Sequence, residues 1–169
     1  PELCKKLEKE CLTWNVKQGL ILVNDSFANL KEIVERKNFK DVSGILFDLG
    51  LSSWHLEESK KGFSFSRDEP LIMRYDGDTT KLTAGKIVNE WPESEIEKIL
   101  REYGEEKFAR RISKEIFKAR ERNKIKSTFQ LVEIVKRAVP SWYLYRKIHF
   151  ATKTFQALRI VVNDEVNNL

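Results

Sequence analysis

The sequence predicts an α/β fold: a parallel sheet interrupted by an inserted, all-helical subdomain. Three observations predict it. Two short apolar runs without helical period, residues 20–23 and 44–49, flank an amphipathic helical pattern, which makes a βαβ unit. After residue 53 the alternation stops and gives way to an irregular stretch followed by consecutive helical patterns. The chain then closes on a strongly amphipathic segment, residues 152–169, of the kind that packs back onto a sheet.

Taken in order, residues 2–14 have helical spacing, with Leu3, Leu7 and Cys11 on one stripe. The run Leu20-Ile21-Leu22-Val23 ends at Asn24-Asp25-Ser26, a strand followed by helix-cap residues, and Phe27, Leu30, Ile33 and Val34 continue as a helix. Residues 44–49 form the second strand, which carries Asp48 to its C-terminal end before Gly50, Ser52 and Ser53 break it. A right-handed crossover makes the two strands parallel, so Asp25, Ser26 and Phe27 share one sheet edge with Asp48, the edge at which open α/β sheets bind ligands. Residues 62–78 are rich in turn formers yet hold Phe63, Phe65, Met73 and Tyr75, the mark of a binding loop rather than a linker. Helical patterns follow over 83–91, 93–103, 105–122 and 128–139, punctuated by Pro92, Gly104 and Pro140. In the last segment Phe155, Leu158, Val162, Val166 and Leu169 share a face, opposite Lys153, Gln156 and Asn163, with Arg159 at the boundary.

Composition narrows the functional classes. A hydrophobic fraction of 41% and 18 aromatic residues in 169 argue for a real core and against disorder. No apolar run reaches membrane-spanning length and the first residues are no signal peptide, so a cytoplasmic protein without membrane contact is expected. Cys4 and Cys11 are read as free thiols in a reducing compartment, without metal-ligand spacing. Residues 101–153 hold 15 Lys and Arg against 6 acids, while the remainder is mildly acidic. Such a block is either a solvated helix face or a phosphate-contacting surface.

Several stretches then carry a resemblance: GILFDLGLSS at 44–53, GFSF at 62–65, PLIMR at 70–74 with Asp76, LTA at 82–84 with Val88 and Asn89, YGEE at 103–106, ARRI at 109–112, and ATKTFQALRI at 151–160 with Val162 and Asn163. In this order they resemble the bacterial small-subunit (16S) rRNA cytosine-N4 methyltransferases. The resemblance implies a class I methyltransferase (Rossmann-like) parallel sheet, here incomplete, with the helical insertion placed after the Asp48 strand. It implies domains at 1–53 (partial Rossmann-like domain), 54–150 (loop plus helical insertion, binding substrate RNA) and 151–169 (helix returning to the sheet). It implies S-adenosyl-L-methionine as cofactor, a decoding-centre cytosine as target, and small-subunit rRNA or the ribosomal subunit as partner, with a homodimer as a further option. Phe27 matches an aromatic on the adenine side, Asp48 the signature acid, and His55 a position usually held by Gln. Trp54 stands where the family commonly has Pro, and Ile72 and Tyr75 where it has Asp and Met. No cluster among the seven glycines supplies the family's Gly-rich loop, so the chain is expected to correspond to the central part of a family member about twice as long.

The chemistry required is methyl transfer to an exocyclic amine whose lone pair is delocalised, which calls for alignment and for hydrogen-bond acceptors as positive charge develops. Asp48 suits a catalytic acceptor or a cofactor contact; the plain alternative is that it caps the following turn. For RNA, Phe63 and Phe65 are candidates to stack on unpaired bases, or to pin the loop as core residues. Arg74 contacts phosphate or base, or else pairs with Asp76 in the loop. Arg110 and Arg111, with Lys114 and Lys118, lie on the helix whose apolar stripe is Phe108, Ile112 and Ile116. With Lys124, Lys126, Arg146, Lys147 and Lys153 they compose an rRNA platform, which Arg159 extends. His149 is structural or contacts RNA. The competing functions are a truncated, non-catalytic RNA-binding module of the same family and, more weakly, a helical protein-interaction domain.

Overall fold

The structure, a computed structural model, describes Lys5, Leu7 and residues 20–168. The cysteines and most of the helix expected at residues 2–14 lie outside the described residues. The chain divides into two compact units, one of Pro1–Gly50 with Asn167–Leu169 and the other of Leu51–Val166.

In the first unit the capping residues do what their chemistry dictates. Ser26 accepts a hydrogen bond from the Ala28 amide (3.2 Å) and opens a 3-10 turn, Phe27–Asn29, which runs into α1 (Leu30–Arg36). The two expected strands do not appear as ladders. Residues 20–23 and 42–49 lack strand pairing, and among the described residues the one β pairing is an isolated antiparallel bridge between Pro70 and Ser127. The physical reason is that an apolar run fixes a preference for extended backbone, whereas a strand exists only when neighbouring chain satisfies its amides and carbonyls. Ile45 and Leu46 are 62% and 94% exposed, so no other described residue covers these side chains.

The second unit is helical: α2 (Ser53–Glu57), α3 (Ala84–Glu90), α4 (Glu93–Glu102), α5 (Ala109–Arg122), α6 (Thr128–Ala138), α7 (Ser141–Leu144) and α8 (Thr152–Asn163). Thr83 caps α3 through the Lys86 amide (3.1 Å), and Ser127 with Gln130 forms a capping box on α6. Pro92 and Pro140 stand just before α4 and α7, where the missing amide costs nothing. The helix expected from residue 105 starts only at Ala109, because the Glu106 side chain takes the Phe108 amide (2.9 Å) and holds the preceding turn open. The last helix ends at Asn163 rather than 169, stopped by Asp164 in the left-handed region at φ 51°. The short α2 and α7 carry no periodicity that a sequence pattern registers.

The core runs from Phe63 to Val162 and lies wholly in this unit. Its fully buried residues include Met73, Ile87, Ile96, Leu100, Ile112, Ile116, Leu131 and Leu158. α5 packs against α4 and α6, and α8 packs against α4 and α3. The Leu51–Val166 unit includes α8, whose stripe of Phe155, Leu158 and Val162 is buried in the helical core. α4 and α8 approach closely at Gly104, where an added Cβ would lie 2.7 Å from both the Leu100 and Lys153 carbonyl oxygens. No helix of the described residues is long and apolar enough to cross a membrane.

Candidate functional site

In the first unit, Asp25 organises the turn that presents Phe27. Its carboxylate accepts the Ser26 amide and the Asn29 side-chain amide, each at 2.8 Å, and meets Arg36 at 3.3 Å. The bonds from Asn29 and Ser26 hold the Asp25 carboxyl below its ordinary range. Phe27, 36% exposed, sets its ring edge-on to Phe47 at 6.0 Å, with an interplanar angle of 75°. Phe47 is the neighbour of Asp48, so Phe27 and the Asp48 segment are brought together although the two strands are not paired. Asp48 is itself exposed. A partly open aromatic ring can stack on a flat ring, and an accessible carboxylate can accept hydrogen bonds.

In the second unit, His55 on α2 lies in a nest of rings. Its Nδ1 is 2.8 Å from the Ser52 hydroxyl, and its ring meets Trp54, Phe63 and Tyr75 edge-on at 5.3, 5.4 and 5.1 Å. Phe63 stacks on Tyr75 at 5.5 Å, and the Lys61 ammonium donates to the Tyr75 carbonyl (2.9 Å). Burial, with the Lys61 charge in support, pushes the His55 imidazole below its ordinary pKa, so the ring is neutral at physiological pH. Phe63, 4% exposed, is a core residue. Phe65 is half-buried and lies flat on His149 at 4.3 Å, with an interplanar angle of 4°, and it meets Phe155 edge-on at 5.9 Å.

The loop that follows is clamped to α8. Arg74 donates to both Asp76 carboxylate oxygens (2.7 and 2.6 Å) and, through Nη1, to the Leu82 and Val162 carbonyls (3.2 and 3.1 Å). Asn163 donates to the Met73 carbonyl (2.7 Å) and accepts the Tyr75 amide (2.9 Å). Between these bonds Met73 is held at φ 52°, a conformation that costs a non-glycine residue about 1 kcal/mol or more. Arg159 forms a bidentate pair with Glu165, which also accepts the Tyr75 hydroxyl (2.9 Å). Arg74 raises no exposed charge; its pair with Asp76 keeps that carboxyl far below its usual range. Asn163 stood out in the sequence only as one member of a polar face, and no periodicity marks it as the pin of this loop.

Among the basic residues, Lys153 spends one donor on the Glu105 carbonyl (2.7 Å), and Lys118 pairs with Glu115. Arg110 and Arg111 are exposed at the start of α5, with the Arg111 guanidinium 5.7 Å over the Phe108 ring. Glu106 is buried, where it accepts the Tyr143 hydroxyl (2.9 Å) and raises the Tyr143 pKa, with burial as the larger cause, to about 12. Among the described residues no three His, Cys, Asp or Glu side chains gather to hold a metal ion.

Known proteins match this chain over most of its length. "Ribosomal RNA small subunit methyltransferase H" of Exiguobacterium sibiricum is 48% identical over 146 residues, which is 86% of this chain and 46% of that protein. The protein of the same name from Acetivibrio thermocellus is 47% identical over 165 residues, 98% of this chain and 52% of its own. That of Thermosipho melanesiensis is 49% identical over 154 residues, 89% and 51% respectively. The chain therefore spans about half the length of these relatives. Matched by the family model across residues 5–169, and nearly half identical to relatives along that span, the chain belongs to the MraW methylase family.

Proposed function

We propose that this sequence is the central part of an S-adenosylmethionine-dependent enzyme that methylates the N4 amine of a decoding-centre cytosine in small-subunit rRNA. The observation that carries the proposal is the match to relatives named as ribosomal RNA small subunit methyltransferases over 86–98% of the chain. Under this reading residues 20–23 and 44–49 are strands of a class I, Rossmann-like parallel sheet. The exposure of Leu20, Ile21, Ile45 and Leu46 is then that of side chains which helices cover on the faces of a parallel sheet.

Phe27 and Asp48 are the residues of the first unit that would hold the cofactor, and His55 on α2 is a separate candidate contact. When bound, S-adenosylmethionine supplies an electrophilic methyl group on a sulfonium. The chain's part is to align the amine and to neutralise the charge that develops on it, for which Asp48 offers a carboxylate acceptor. His55, neutral and ringed by aromatic side chains, offers a polar edge that carries no charge. Arg110 and Arg111 meet the rRNA backbone, and Phe65 of the binding loop, stacked on His149, offers an aromatic surface.

The test is transfer of a labelled methyl group to small-subunit rRNA by the longer protein, comparing the parent with Asp48→Asn. The expected outcome is a fall in turnover of about a hundredfold or more; near-parental turnover would remove Asp48 from the site. The second reading, a non-catalytic RNA-binding module, is supported by the self-contained core of the Leu51–Val166 unit. It prevails if both the chain and the longer protein bind rRNA while calorimetry finds no S-adenosylmethionine binding to either.

A further inference from the structure

α7 and the turn after it carry exposed aromatic side chains that the proposed site does not use. Trp142 is 61% exposed, Tyr145 87% and Ile148 56%. Trp142 stands on an aromatic base. The Trp142 ring meets Tyr143 edge-on at 5.6 Å and Phe108 at 5.9 Å, and Tyr143 is buried with its hydroxyl on Glu106. Two cations lie against this base: the Arg111 guanidinium is 5.7 Å over Phe108, and that of Arg146 is 5.1 Å over Tyr143. Arg110 and Lys147 are exposed nearby in sequence, while Glu106 and Glu115 are engaged by Tyr143 and Lys118.

Flat rings held out in water cost free energy unless something flat covers them, and guanidinium groups beside them select a partner that is also anionic. Unpaired nucleotides combine both properties, a base for the ring and a phosphate for the cation. An anionic lipid surface shares the charge, but it is read by an amphipathic helix with a long apolar face, and α7 has four residues. We propose that Trp142 and Tyr145 are stacking residues for unpaired nucleotides of the RNA substrate, with Arg111 and Arg146 on the adjoining phosphates. This rests on the reading of the protein as an rRNA methyltransferase and names the surface that grips the strand.

The experiment is fluorescence anisotropy of the 169-residue chain with a labelled single-stranded small-subunit rRNA oligonucleotide and with a fully paired duplex of the same composition. Trp142→Ala and Tyr145→Ala each weaken single-strand binding about tenfold. Trp142→Phe, which keeps a ring, stays within about threefold of the parent, and duplex binding changes little in all three. Arg111→Gln and Arg146→Gln lower the dependence on salt by about one phosphate contact each. Parental affinity in both alanine variants overturns the stacking assignment while leaving the rRNA reading intact. Failure of the parent to bind any RNA removes both. Binding to phosphatidylserine vesicles that is lost in Trp142→Ala, with RNA binding unchanged, assigns the patch to a membrane surface instead and overturns the proposal.

Discussion

Gly104→Ala should be among the most damaging single-methyl changes in this chain. The new Cβ would lie 2.7 Å from the Leu100 carbonyl oxygen, at the end of α4, and 2.7 Å from the Lys153 carbonyl oxygen, in the first turn of α8. A carbon and a carbonyl oxygen come no nearer than about 3.3 Å, so each oxygen must retreat by about 0.6 Å. Neither can do so freely. The Leu100 oxygen also accepts the Glu106 amide at 3.0 Å, and Lys153 closes the same corner by donating to the Glu105 carbonyl. The Ala157 methyl, 3.2 Å from the new Cβ, blocks the remaining direction. Overpacking against immovable backbone falls at the upper end of its usual cost, about 3 kcal/mol. With a urea slope of about 2 kcal/mol per molar, the midpoint should drop by about 1.5 M. Equilibrium urea unfolding followed by circular dichroism measures this directly. A midpoint within about 0.3 M of the parent would refute the claim that α4 and α8 meet there through backbone.

Two further outcomes follow from the loop and the histidines. Arg74→Met should cost about 2–3 kcal/mol, because it strips the Leu82 and Val162 carbonyls of a charged donor whose side chain is 13% exposed, whereas Asp76→Asn, at a 43% exposed partner, should cost about 1 kcal/mol; equal losses in urea unfolding would contradict the asymmetry. Burial depresses both His55 and His149, so the unfolded chain takes up protons near 6.5 while the folded chain resists them; their contribution is intact above that pH and is lost as pH falls through the lower folded values. The urea midpoint should therefore fall between about pH 7 and pH 5, less steeply in His55→Gln combined with His149→Gln, and a flat or rising midpoint would contradict it.

The helical half of the fold was legible because its signals are local. Thr83, Ser127, Pro92 and Pro140 fix helix starts by chemistry confined to a few residues, and the stripes of α4, α5, α6 and α8 repeat at the helical period. The sheet was not, for a corresponding reason: residues 20–23 and 44–49 carry the right apolar runs, but pairing is a property of two segments, and the described residues hold no such ladder. The site divides in the same way. That Phe27 lies near the Asp48 segment was readable from βαβ topology, and the Phe27–Phe47 ring contact agrees with it. Phe63 and Phe65 alternate in sequence, which left one to point inward, and the buried one is Phe63. The aromatic face of Trp142 and Tyr145 was missed because α7 is one turn long and leaves no period to read, although two aromatic residues beside Arg146 and Lys147 were a visible signal.

The residues most misleading as binding candidates are those whose partners lie far away in sequence. Arginine has five donors, and Arg74 spends four of them, two on Asp76 and two on carbonyls, one of which is 88 residues distant. Asn163 returns the gesture across 90 residues by bonding the Met73 carbonyl. The stretches at 70–76 and 151–163, which read as two separate motifs, are thus the two halves of one clamp. That clamp keeps Met73 in a left-handed conformation and, through the Tyr75 amide, fixes the Phe63–Tyr75 stack against His55. Residue type told what Arg74 and Arg159 are able to bind, but only the closing of the loop on α8 decides that they bind protein. Under the proposed function, RNA contact falls to the cations that the clamp leaves outside, Arg110 and Arg111 at the start of α5 and Arg146 after α7, and it is there that charge reversal should act on affinity without first unfolding the loop.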